Sequence, residues 1–229
     1  MAKKKSSKLK DTVRIIATVI FLLAILFIPA GTLNWPEAWL LLGLYFFVVG
    51  GCLIWLKKND PELLKERRSV RKDVKTWDKK IIFTYTIFLL IMLVLAGLDA
   101  VRFRWSRVPL MWKAVGYFGF IPAVILGFWA FKQNTYLAQY VRIQKDRGHR
   151  VITTGPYEYV RHPMYVGVML FILCAPLALA SFYSFIPAFV IVVLFIIRTS
   201  LEDKTLLEEL EGYQEYAKKV RYRLIPGIW

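Results

Sequence analysis

At 229 residues, 57% of them hydrophobic, the chain is too apolar for an ordinary water-soluble domain, and its mean hydropathy of +0.47 comes in blocks. Its 32 Lys and Arg against 16 Asp and Glu give a formal charge of +16, yet no nucleic-acid motif accompanies the excess, and no nucleic-acid partner is expected. Cys52 and Cys174 both fall in apolar stretches, and His149 and His162 are too few and too far apart for a zinc pattern, so neither a disulfide nor a metal is expected.

In chain order, the segments from Ile15 to Leu33, Ala38 to Leu56, Ile81 to Leu98, Val115 to Phe131, Met164 to Ala180 and Phe185 to Ile197 are nearly free of charge. Most approach the roughly 20 residues that cross a bilayer. Backbone in hydrocarbon must satisfy its own hydrogen bonds, so these segments read as helices. The fold class is therefore all-α: a polytopic membrane bundle of about six transmembrane helices. The last span is short, and Met164 to Ile197 reads as a tight helical hairpin with Pro176, Ser181, Ser184 and Pro187 shaping its turn. The first span is long and lacks a small-residue cleavage site, so it reads as a retained helix rather than a leader.

The charges follow topology. Lys3, Lys4, Lys5, Lys8, Lys10 and Arg14 precede the first span, and the loop 57–80 carries Lys57, Lys58, Lys65, Arg67, Arg68, Arg71, Lys72, Lys75, Lys79 and Lys80. The link from Gly31 to Glu37 and the turn near Ser181 have no Lys or Arg, and the loop from Asp99 to Lys113 has only Arg102, Arg104, Arg107 and Lys113. By the positive-inside rule both termini are expected in the cytoplasm, in a multi-pass protein of the cell membrane, together with residues 132–161 and 198–229. The basic loop is expected to orient the chain and to attract anionic membrane lipids.

Beyond the last span, Leu206, Leu210, Tyr213, Ala217 and Val220 recur at helical offsets, with Glu208, Glu209, Glu215, Lys218 and Lys219 on the other side. This predicts a cytosolic amphipathic tail helix at the interface. Arg198 and Glu202, four residues apart, share a face and are placed to pair. An ordinary interfacial ion pair is the competing explanation of these two.

The segment Gly148 to Gly167 holds both histidines and several Gly, Pro and aromatic residues between apolar segments. Taken singly, Arg161 and His162 suit snorkelling to headgroups, and Tyr157, Tyr159 and Tyr165 suit an aromatic belt. A belt, however, has no need of Gly, Pro, His and Arg in fixed order. Thr154-Gly155-Pro156-Tyr157, then Arg161-His162-Pro163-Met164-Tyr165-Val166-Gly167, then Arg198-Thr199-Ser200-Leu201-Glu202-Asp203 together resemble the isoprenylcysteine carboxyl methyltransferase family and its phospholipid methyltransferase relatives. The likeness covers about Phe131 to Trp229. Asp203 departs from it, standing where a second Glu is common; it shortens the reach, and weight falls on Glu202.

The resemblance implies an integral membrane enzyme whose S-adenosylmethionine lies among the cytosolic helix ends and the polar tail. In agreement, the chain has no Gly-x-Gly-x-x-Gly turn of a dinucleotide fold. By matching positions, His149, Val151, Gly155, Tyr157, Arg161, His162, Tyr165 and Gly167 are the cofactor candidates, and Arg198 and Glu202 the catalytic ones. Gly155 and Pro156 would set a turn, Pro163 would open a helix, and Gly167 would admit a close neighbour. Arg198 would anchor an anionic acceptor group, and Glu202 would orient Arg198 or take a proton. Residues 1–131 read as the N-terminal membrane part with its basic loop 57–80, and 132–229 as the cofactor-binding part. The acceptor is expected to be a lipid, a prenylated or other hydrophobic molecule, or a small hydrophobic thiol. Two alternatives stand beside this: an NADPH-dependent membrane reductase related to sterol reductases, and a non-catalytic membrane component.

Overall fold

The computed structural model describes residues 2–69 and 73–229, with side chains from Thr12 onward. Arg71 and Lys72, and the side chains of Lys3, Lys4, Lys5, Lys8 and Lys10, lie outside the described residues. The regular elements described are all helical: α1 (Ala2–Ala30), α2 (Pro36–Asn59), α3 (Pro61–Arg68), α4 (Thr76–Gly97), α5 (Leu110–Gln133), α6 (Pro163–Ala178), α7 (Phe185–Glu209) and α8 (Tyr213–Lys219). A wider π turn, Leu98–Phe103, extends α4.

Five helices, drawn from α1, α2, α4 with its π turn, α5 and α7, are long and apolar enough to cross a membrane. The protein is a multi-pass membrane bundle. The sixth apolar segment, α6, has 16 residues, about 24 Å at 1.5 Å per residue, less than the hydrocarbon layer. Its partner α7 corrects the expected short span. Hydropathy falls away after Ile197, but the helix continues to Glu209, because Arg198, Glu202 and Asp203 are accommodated on it by other parts of the protein.

Loops sort to two ends. At one, the buried Asp99 accepts from the backbone N–H of Ser106 at 2.7 Å and from the hydroxyls of Ser106 at 2.7 Å and Ser181 at 2.6 Å. This ties the α4–α5 loop to the α6–α7 turn. Lys113 meets Glu37 at 2.6 Å at the same end. At the other end Lys75 meets Glu209 at 2.5 Å, and Arg142 meets Glu66 at 2.9 Å. The basic loop, the segment 134–162 and the polar tail therefore share one end, the grouping that the charge distribution requires.

The tail is not one helix. α7 stops at Glu209, and Gly212, at φ +79°, turns the chain into the short α8. This left-handed backbone is cheap only for glycine. The residues that were to form the apolar stripe still meet: Leu210, Tyr213 and Tyr216 are buried with Ala130 and Tyr157, and Leu206, Ala217 and Val220 pack around them. Protein covers that face instead of lipid.

α5 and α6 approach closely through small residues. A Cβ on Gly116 would stand 2.5 Å from the backbone nitrogen of Ala178, one on Gly119 would strike the Cys174 sulfur, and one on Gly167 would lie 2.9 Å from the carbonyl oxygen of Ala123. Helices in lipid associate through such packing, since apolar burial gives them no preference for one another over lipid. Gly167→Leu and Gly116→Leu are each expected to destabilise the protein by roughly 1–3 kcal/mol or more, read as a lowered thermal midpoint in detergent. Gly43→Ala, where a Cβ meets nothing within 4 Å, should leave the midpoint unchanged or raise it.

Candidate functional site

The site is built around a carboxylate wholly removed from solvent. Asp203 on α7 accepts from Arg161 twice, Nε to Oδ1 and Nη2 to Oδ2, both at 2.8 Å. Tyr213 donates its hydroxyl to Oδ1 at 2.9 Å, Arg223 donates Nε to Oδ2 at 2.9 Å, and the Nε2 of His162 lies 3.2 Å from Oδ1. Arg161 also donates Nη1 to the carbonyls of Val220 at 2.8 Å and Arg221 at 2.9 Å. The backbone N–H groups of Arg161 and His162 donate to the carbonyls of Tyr222 at 3.0 Å and Arg223 at 2.9 Å. One carboxylate thus joins the Arg-His-Pro segment, α7, α8 and the non-helical tail after it. Asp203 is more central than its shorter reach suggested, and the reason is burial: a short acid fits the interior where several donors converge.

Beside this hub lies a narrow cleft of about 60 Å³, well below the roughly 300–1,000 Å³ of small-molecule sites. His149, Val151, Tyr157, Arg161, His162 and Tyr165 line it together with Glu202, Asn134, Met164 and Tyr213. Gly155 and Gly167 are not on its wall. Gly155, at φ +64°, opens the turn Gly155–Glu158 and lies where a Cβ would stand 2.7 Å from Gln133. Gly167 faces α5, as described above. Pro163 begins α6, so the chain passes from the hub directly into a helix.

Arg198 and Glu202 are not paired. Glu202 accepts a short hydrogen bond from the Tyr165 hydroxyl. Arg198 instead donates Nε to Oδ1 of Asp78 at 2.7 Å and Nη2 to Oδ2 at 3.2 Å. Asp78 is fully buried in the first turn of α4. The Arg198 guanidinium carbon lies 5.0 Å from the Tyr165 ring centre, and His162 stacks parallel to the same ring at 5.7 Å. Sequence reasoning passed over Asp78, Asn134 and Arg223. An acid beside Lys79 and Lys80 at a helix start reads as a favourable dipole interaction, and no spacing rule joins positions 78 and 198.

Electrostatics on the polar side favour a neutral His149 and neutral hydroxyls on Tyr157, Tyr213 and Tyr216. Burial raises the Tyr157, Tyr213 and Tyr216 hydroxyls well above the usual phenol value, with Asp203 adding to the effect on Tyr213. Burial opposes the charge of Arg161, yet its hydrogen bonds to Asp203 outweigh that and hold the guanidinium protonated. Burial lowers His149 to about 4, helped by Arg142 and Arg147, and its Nδ1 accepts the backbone N–H of Gln144 at 3.3 Å.

The sequence model for phospholipid methyltransferases matches residues 111–212. That segment, somewhat under half of the chain, is similar to the phospholipid methyltransferase family. The match takes in α5, α6, α7 and the cleft wall from Asn134 to Glu202. Two relatives come from Schizosaccharomyces pombe. The Delta(14)-sterol reductase erg24 is 34% identical over 93 residues, 38% of this chain and 21% of that protein. The protein-S-isoprenylcysteine O-methyltransferase is 33% identical over 82 residues, 35% of each. The matched stretches thus span about a fifth and about a third of these relatives.

Two expectations follow from the geometry. Asp203→Asn leaves Arg161 and Arg223 short of a countercharge, and is expected to cost roughly 3–5 kcal/mol, measured as a fall in thermal midpoint. His149 binds its proton less readily folded than unfolded, so between pH 6.5 and about 4 the unfolded chain holds more protons. Its contribution is fully present above pH 6.5 and is lost as pH falls toward 4. His149→Gln should therefore flatten the decline of the thermal midpoint in that window.

Proposed function

We propose that the protein is a membrane methyltransferase that uses S-adenosylmethionine to methylate a lipid, prenylated or other hydrophobic acceptor. The observation that carries this reading is the convergence of Arg161, His162 and Tyr165 of the Arg-His-Pro-x-Tyr motif with Glu202 on one cleft, inside the segment similar to phospholipid methyltransferases. The lining suits such a cofactor. His162 and Tyr165 offer flat aromatic faces, and Glu202 offers a carboxylate, which together favour a sulfonium cation and its polar substituents. When bound, S-adenosylmethionine supplies an already activated methyl group.

The residues then have mainly to align and to exclude water. Arg161, fixed by Asp203, sets the cleft wall; Tyr165 holds Glu202 by its hydroxyl. Glu202 takes a proton from a neutral nucleophile, whereas a carboxylate acceptor needs none removed. A second, apolar groove of about 1080 Å³ runs between α2 and the α5–α6 pair, lined by Leu41, Val48, Trp55, Phe128, Phe131 and Phe171, with Lys58 on its wall. Met164 lines both spaces. The groove supports an acceptor whose apolar chain lies among the helices while its reactive end reaches the cleft.

In this reading residues 132–229 form the cofactor part and residues 1–131 the membrane part, with the loop 57–80, the cleft and both termini in the cytoplasm and anionic lipids against the basic loop. The similarity to a sterol reductase supports a second reading, an NADPH-dependent reductase. Calorimetric titration of the detergent-purified protein with S-adenosylmethionine, S-adenosylhomocysteine and NADPH separates them. Binding of the first two without NADPH is expected, and selective NADPH binding would overturn the proposal. Tyr165→Ala should weaken S-adenosylmethionine binding. Glu202→Gln should leave that affinity within a few-fold and, for a neutral nucleophile, slow transfer by about 10²–10⁴-fold; single-turnover transfer of labelled methyl groups measures it.

A further inference from the structure

Resting on the methyltransferase reading, we propose that Asp78 is a positioning residue of the transfer site: it fixes the Arg198 guanidinium against Tyr165, so that the N-terminal half completes a site whose motifs lie in the C-terminal half. Asp78 is outside residues 111–212. It is 0% exposed, and Arg198 is 6% exposed. The carboxylate is itself held, since its Oδ2 accepts the backbone N–H of Val141 at 2.7 Å. Arg198 is clamped from two directions, by both Asp78 oxygens and by the carbonyl of Gln139 at 3.0 Å from Nη2. Its remaining terminal nitrogen, Nη1, is engaged by no described residue. On its other side the guanidinium faces the Tyr165 ring, whose hydroxyl holds Glu202.

The packing around Arg198 reaches both spaces. Phe195 packs edge-on against Tyr165, which lines the cleft, and against Tyr85, which lines the apolar groove. Arg198, 5.9 Å from the Phe195 ring centre, lies behind these rings and is on the wall of neither space. Compared with apolar residues of equal volume, a buried ion pair adds little stability. What the pair supplies is direction: with its charge balanced by Asp78, Arg198 holds its guanidinium against the Tyr165 ring, whose hydroxyl holds Glu202.

The test uses the full-length protein in nanodiscs, with tritiated S-adenosylmethionine and three probes: N-acetyl-S-farnesylcysteine, dioleoylphosphatidylethanolamine and a total membrane lipid extract. Asp78→Glu keeps the charge and displaces the carboxylate by one methylene. The expected result is a thermal midpoint and S-adenosylmethionine affinity close to wild type, within twofold for affinity, with kcat on the methylated probe lowered about 100-fold, the effect of misplacing a reacting group by about 1 Å. Should the Glu variant fail to fold, Asp78→Asn is read for kcat and S-adenosylmethionine affinity alone, its thermal midpoint being expected to fall because the buried Arg198 loses its countercharge. Wild-type kcat and acceptor KM in a folded variant would overturn the proposal, as would loss of the folded transition in both variants, which would make the pair purely structural. Wild-type protein that binds no S-adenosylmethionine and methylates none of the probes would overturn the methyltransferase reading, and this inference with it.

Discussion

A carboxylate with no access to water can persist only among donors, and Asp203 collects Arg161, Tyr213 and Arg223 with His162 close by. These side chains come from the motif before α6, from α8 and from the tail, so satisfying one charge dictates how the polar end closes. Each cation has its own requirement. Arg161 spends Nη1 on the carbonyls of Val220 and Arg221, backbone groups that no helix or sheet would otherwise satisfy. Remove the acid and the cleft loses the wall that its neighbours share.

That closure depends on what the lipid-facing part provides. α6 can approach α5 because glycines occupy the contact, and this proximity brings the end of α5, with Asn134 beyond it, against Tyr157, whose hydroxyl accepts from the Asn134 side chain at 3.1 Å. α7 continues past the apolar zone as a rigid rod, so that Arg198, Glu202 and Asp203 are presented in sequence at different headings around one axis. Glu202 looks into the cleft, Asp203 into the hub and Arg198 toward α4. Four residues of separation placed Arg198 and Glu202 on one face, but each found a better partner than the other.

The sequence displays the spans, their grouping of loops and most of the cleft wall because those follow from apolar runs, charge counts and a motif of unusual composition. Gly155 and Pro163 were readable for the same reason, each having a conformational role that its residue type announces. Asp78, Arg223 and Asn134 were not, since their partners are 120, 20 and 23 residues away and tertiary packing alone brings them together. The tail shows both sides of this limit. Its apolar spacing identified residues that do cluster, while the break at Gly212 went unforeseen because the helical offsets run through it without interruption.

The tail's backbone carbonyls bear on the order in which the molecule can be made. Val220, Arg221, Tyr222 and Arg223 are translated well after the Arg-His-Pro segment that they satisfy, and after α5, α6 and most of α7 are available for insertion into the bilayer. Until those last residues arrive, Arg161 and His162 stand at the membrane edge with unmet hydrogen bonds and access to water. The helices that cross the lipid are thus laid down before the residues whose carbonyls close the polar hub.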